Sequence, residues 1–205
     1  MKAFRFVALT SPKYKTDIRE DNMKVVGLAI LIFALFTAAH AQTDQRRYDQ
    51  VTEKLNRAES KIERFYALGD AAKASFDFGN KDQARWLAEE LQNMVGDYPT
   101  DWNYGNAVHD VNIVFGRIAV SEGRIEDAKA HLLGAGKSPG SPQMNSFGPN
   151  MSLAKDLLEI GEKEVILKYF KLCAKFWKKK FSKLDQWTRE VQSGQIPNFG
   201  ANLIY

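Results

Sequence analysis

AAKASFDFGNKDQARWLAEEL, residues 71–91, holds the pattern on which the fold turns. Two runs of helix-favouring residues meet at Gly79-Asn80, and the residues around that glycine keep a fixed register. Ala72 lies seven positions before it, Ala84 five after, Ala88 nine after and Leu91 twelve after. The same frame recurs at Gly123, with Gly116, Ala128, Leu132 and Ala135, and at Gly161, with Ala154, Ile166, Phe170 and Cys173. The three residues after each glycine, four and three apart, share one face of the second helix, and the one before it lies on the first. Small residues at these offsets let two helices approach closely, and glycine is the residue best able to end one of them. Three helix pairs are expected, each turning at its glycine.

The reading extends outward on both sides. Val51, Leu55, Ala58, Ile62, Phe65 and Leu68 are spaced three and four apart, which predicts one amphipathic helix over Gln45–Leu68. Helices are expected over Asp70–Phe78, Lys81–Val95, Asn106–Ser121, Ile125–Leu133, Met151–Glu159, Lys163–Phe181 and Lys183–Gln192. Gly134–Asn150, rich in Gly, Pro and Ser, reads as a long loop. No useful stretch alternates with period two, so the expected class is all-α: antiparallel helix hairpins stacked as a short solenoid. The expected divisions are an N-terminal helix over 42–67, a helical repeat domain over 68–192 and an irregular tail over 193–205.

Residues 25–39, VVGLAILIFALFTAA, follow Lys24 and precede Ala39-His40-Ala41, after which the chain turns polar. Basic residue, short apolar core and small-x-small site are the order of a secretory signal. The apolar run is shorter than the roughly 20 residues a membrane-spanning helix needs. Residues 23–41 are read as the signal, residues 1–22 as an over-extended start, and Met23 as the expected start. Cleavage is expected between Ala41 and Gln42, giving a periplasmic or secreted protein; the alternative is an inner-membrane anchor.

The charge divides at the same place. The first 41 residues hold six basic and three acidic side chains, +3; the remainder hold 23 and 22, +1. The body therefore lacks the positive field that nucleic-acid binding requires. One cysteine excludes an internal disulfide, and Cys173 reads as a small buried hydrophobe.

The recurring small residues around Gly79, Gly123 and Gly161 resemble a degenerate tetratricopeptide repeat, over about residues 68–177. Pro99 and Pro139 fall near where that family ends its second helix. The glycines stand 44 and 38 residues apart, against the family's period of 34. The stretches NYGNAVHD, KSPGSPQMNSFGPN and IPNFGANLIY are similar to uncharacterised exported bacterial repeat proteins. The resemblance implies binding of a protein or peptide in a groove lined by the first helix of each pair, without catalysis or a cofactor.

Asn103, Asn106, His109, Asp110 and Asn112 cluster at helical spacing, and with Ser146 and Phe147 of the 134–150 loop they are the candidate partner-binding residues. Such side chains can bind a polypeptide backbone, and the recognition reading expects Asn106, His109 and Asp110 to be partly accessible. The competing reading has Asp101 or Asn103 capping the helix and the rest pinned to the adjoining loop. The loop itself reads either as a lid or as a packed plug. A small-molecule binder or enzyme centred on His109 and Asp110 is a further alternative, although no catalytic arrangement is legible. Gly136-Lys137-Ser138 lacks the earlier glycine of a phosphate loop, since His131 stands there. His109 and His131 have no third ligand at zinc-like spacing, so no metal site is expected. The lysine-rich segment 163–183 offers one more alternative, a weak contact with an anionic membrane surface.

Overall fold

The computed structural model describes Val26, residues 42–178 and residues 181–204, and among these all regular structure is helical. The chain divides into two units, Met1–Thr43 and Asp44–Tyr205, and the architecture below is that of the second. The over-extended start, the signal and the cleavage site at Ala41 lie outside the described residues, apart from Val26, which is helical, and Gln42.

Nine helices follow in order among the described residues: α1 (42–56), α2 (Lys61–Asp77), α3 (Lys81–Val95), α4 (Tyr104–Ser121), α5 (Ile125–Gly136), the short α6 (Pro142–Phe147), α7 (Ser152–Glu159), α8 (Lys163–Cys173) and α9 (Phe181–Gln192). A 3-10 turn over Gly200–Leu203 lies within the tail.

The three pairs α2–α3, α4–α5 and α7–α8 are each joined by three residues centred on the repeated glycine. Gly79, Gly123 and Gly161 have φ of 91°, 74° and 91°. The amide of the following residue bonds back to Ser75, Ala119 and Leu157 respectively, at 2.8–3.0 Å, and the glycine amide to Phe76, Val120 and Leu158. This is the same helix-ending motif three times. The register residues are buried in all three pairs: Ala72, Ala84, Ala88 and Leu91; Gly116, Ala128, Leu132 and Ala135; Ala154, Ile166, Phe170 and Cys173.

α4 is the centre of the molecule. It packs on α2, α3, α5 and α7. Its Ala107, Val111, Val114 and Ile118 join a cluster with α2 and α3, while Ile113 and Ala119 join a second cluster with α5, α7, α8 and α9. Gly116 allows this, because a Cβ there would lie 2.2 Å from Leu153 Cδ2 of α7. An ionic chain crosses the first helices: Asp77 of α2 binds Arg47 of α1 at 2.6 Å and Arg117 of α4 at 2.5 Å, and Arg117 binds Asp156 of α7 at 2.8 Å.

Several expectations need correction. The single helix over Gln45–Leu68 is two helices with a break at 57–60. Ser60 accepts from the Glu63 amide and the Glu63 carboxylate accepts from the Ser60 amide, a reciprocal cap that starts α2. The apolar spacing runs across this break, which is why periodicity alone misses it. The first pair therefore begins at Lys61, not at residue 68. The 134–150 segment is not all loop: α5 continues to Gly136, and Ser141 caps α6, whose first residue is Pro142. The helix expected over Lys163–Phe181 stops at Cys173.

Candidate functional site

A cleft of about 640 Å³ opens among the end of α1, α2, the first half of α4 and the segment running through α6 to Asn150. It is built first on α2. Tyr66, Asp70 and Lys73 are four and three residues apart, so they share one face of a helix whose buried positions are largely alanine, leucine and glycine. That face meets Asp110 of α4. Lys73 Nζ lies 3.0 Å from both Asp110 carboxylate oxygens and 3.2 Å from Asp70 Oδ1. Gly69 makes the approach sterically possible, since a Cβ there would stand 2.4 Å from Asp110 Oδ2. Burial pushes the Asp110 pKa up, against the pull of Lys73. Lys73 lowers that of Asp70. Burial works against the Lys73 ammonium, but its two carboxylates outweigh it and its pKa is raised.

The opposite wall is a strap, residues 137–150, tied to α4. Ser138 Oγ donates to the Gly105 carbonyl at 2.7 Å, and Gly105 is glycine because a Cβ would lie 1.9 Å from the Gly140 carbonyl oxygen. Ser141 Oγ donates to Asn106 Oδ1 at 2.6 Å, and Asn106 Nδ2 donates to Asn103 Oδ1 and Gln143 Oε1, both at 2.8 Å. His109 is 2 % exposed and uses both ring nitrogens: Nε2 accepts from the Asn150 amide at 3.1 Å, and Nδ1, 3.2 Å from the Ala135 carbonyl, donates to it. Burial holds its pKa down at about 4. A general base needs a nitrogen within reach of its substrate, and neutral His109 has both committed to backbone. The strap's far end is held by the tail, where Asn202 Nδ2 donates to the Phe147 and Pro149 carbonyls at 3.1 and 3.0 Å.

Asn103, Asn106, His109, Asp110 and Phe147 all line this cleft. Their accessibility differs from expectation. Asn106, His109 and Asp110 are 9 %, 2 % and 8 % exposed, because they serve as anchors for the strap and for Lys73. Neither Asp101 nor Asn103 caps α4 through a side chain from the N-cap position; Asn103 occupies that position without a side-chain cap bond, and Asp101 Oδ1 accepts from the Asn103 amide. Asn112 lies away from the cleft. Its Nδ2 donates to the Val108 carbonyl, and its Oδ1 is 3.1 Å from His131 Nδ1. Ser146 is exposed and does not line the cleft.

Sequence reasoning missed Tyr66, Asp70, Lys73, Trp102 and Gln143, which also line it. The signal was present on α2, where a lysine and an aspartate interrupt an alanine-rich buried stripe. At the rim, Trp102 is half-exposed and packs on Tyr66 with ring centroids 5.2 Å apart; the Tyr66 hydroxyl donates to Asp101 at 2.8 Å. Two amide nitrogens, Asn103 Nδ2 and Gln143 Nε2, and the Asp70 oxygen not facing Lys73 have no hydrogen-bond partner among the described residues. The floor between them is apolar, formed by Phe65, Leu91, Ala107 and Met144.

Elsewhere, Val165, Ile166, Tyr169, Phe170, Cys173, Phe176 and Trp177 of the lysine-rich segment are buried in the second core cluster, with Lys168, Lys171, Lys175 and Lys178 left outside. Among the described residues no helix is long and apolar enough to cross a membrane, and no group of three or more His, Cys, Asp or Glu could hold a metal ion. Compared with known protein families, with curated proteins and with solved structures, the chain finds no match.

Proposed function

We propose that this is an exported helical-repeat protein whose cleft binds a short segment of another polypeptide. The three equivalent turns support a tetratricopeptide-like arrangement. So does the packing of the first helices on one another, α2 on α4 and α4 on α7, with α5 on α8 behind them. Export rests on the sequence order at residues 24–42.

One observation supports the ligand class above the others. The cleft offers spare amide donors on Asn103 and Gln143 and a spare carboxylate acceptor on Asp70, around an apolar floor. A peptide backbone presents carbonyls and amides in alternation, and an unmatched polar group in such a site is costly. The volume lies within the usual range for ligand clefts. The half-exposed Trp102 gives a rigid aromatic contact of the kind that dominates binding energy.

Selection of random displayed peptides on the immobilised full chain tests this. Trp102→Ala and Asn103→Ala should each weaken the selected peptides about tenfold, close to 1.4 kcal/mol; Trp102→Ala should leave melting nearly unchanged because Trp102 is a rim residue, whereas Asn103→Ala also removes an acceptor from Asn106 and should lower it. Peptides that bind both variants as tightly as the parent protein place the site elsewhere and refute the proposal.

A further inference from the structure

On the wall where α2 meets α4, the ionic contacts of the cleft are uneven. One ammonium, Lys73, faces two carboxylates, Asp70 and Asp110. Asp110 spends both oxygens on Lys73, and its side chain is 11 % exposed. Asp70 meets Lys73 with one oxygen, at the longer distance of 3.2 Å, and its side chain is 49 % exposed into the cleft. The carboxylate oxygen left over therefore belongs to Asp70. No other cation touches Asp70: Arg47 is held by Asp77 and the Ile204 carbonyl, Arg57 by Glu53, and Lys54, which lines the same cleft, acts on Asp70 only from a distance.

Tyr66 stands one helical turn before Asp70 on the same face, with Trp102 against its ring. An apolar stem reaching along α2 from the rim would lie on these rings and end at the Asp70 carboxylate. A long basic side chain has this form, a hydrocarbon stem that packs and a cationic head that seeks a carboxylate or an aromatic face. An acidic head at the same point would meet the open oxygen of Asp70, and would have to turn to Lys54 or Arg57 elsewhere in the lining.

We infer that the cleft takes a lysine or arginine side chain of its polypeptide ligand, the stem on Tyr66 and Trp102 and the head on Asp70. This rests on the reading of the cleft as a polypeptide site.

The test uses the peptides selected on the full chain. Each Lys is replaced in turn by norleucine, which keeps the hydrocarbon stem, and each Arg by citrulline, which keeps the length; both remove the charge. One such replacement should weaken binding at least tenfold. Asp70→Asn should weaken the parent peptide by a similar factor, and the norleucine peptide should bind Asp70→Asn and the unaltered protein alike. The ligand-side change keeps the test decisive even if Asp70→Asn loses stability. Peptides that depend on Trp102 and Asn103 but tolerate every charge removal overturn this inference and leave the polypeptide site standing. Peptides indifferent to Trp102 and Asn103 as well overturn both.

Discussion

At the residue scale, the lesson of the site is commitment. His109 and Asp110 are the side chains that look most reactive in the sequence, yet both are consumed by the fold. His109 is buried neutral, its two nitrogens joining α4 to Ala135 of α5 and to Asn150 at the end of the strap. The pH consequence has a definite sign. Its pKa is about 4 in the folded protein, and an unfolded histidine titrates near 6.5. Between those values the unfolded chain binds a proton that the folded one does not, so stability falls as pH drops through this window, by up to about 3 kcal/mol at pH 4. His131, also shifted down by burial, acts in the same direction. Replacing His109 with Gln should cost stability at pH 7, and the gap from the parent protein should narrow toward pH 4. Chemical denaturation of both proteins at pH 7, 5.5 and 4 measures the gap; a constant gap would show that His109 is not held neutral.

At the element scale, the turns and the strap use glycine for different reasons. Gly123 has φ of 74°, and nothing lies within 4 Å of where its Cβ would be. Gly148 has φ of 100°, and a Cβ there would meet Trp177 and Asn202 at 2.6 Å. Alanine at 123 faces only the left-handed backbone cost, roughly 1–2 kcal/mol. Alanine at 148 adds a collision with a buried tryptophan and with the amide that holds the strap. Gly148→Ala should therefore destabilise by clearly more than Gly123→Ala, and should speed proteolysis within 137–150. Equal losses in a denaturant titration, with unchanged strap cleavage, would mean the tail does not hold the strap. The break between α1 and α2 belongs to this scale too. A cap formed by Ser60 and Glu63 overrides an apolar period that runs on unbroken, because satisfying the first helical amides specifies where a helix begins more sharply than burial does.

At the scale of the whole molecule, two core clusters share one helix. α4 gives one face to the cluster with α2 and α3 and another to the cluster with α7, α8 and α9, and the ionic chain from Arg47 to Asp156 crosses the same boundary. Neither half can bury α4 alone, so residues 44–205 should unfold as a single unit. Trp102 reports from one end, while Trp177 and Trp187, 5.7 Å apart, report from the other. With Trp86 also changed to phenylalanine, a protein keeping only Trp102 and one keeping only the distant pair should give denaturation midpoints that coincide with each other and with circular dichroism. Separated midpoints would show two independent halves.

The helical class, the three glycine turns and the burial register around them are legible in the amino-acid order alone. Each of these is a local rule, helical periodicity plus the left-handed freedom of glycine, and local rules are written in consecutive residues. The cleft was legible only in part. Asn103, Asn106, His109 and Asp110 stood out because they neighbour one another along α4. Lys73 and Asp110 lie 37 positions apart, and Asn106 and Ser141 lie 35 apart. What joins them is the close packing of α2 on α4 at Gly69 and of the strap on α4 at Gly105. It took the packing of distant segments to make the most conspicuous polar residues anchors and to leave Asp70, half-exposed beside a filled ion pair, with one carboxylate oxygen open. Whether a charge is spent or spare depends on what folds against it, and no spacing along the chain encodes that.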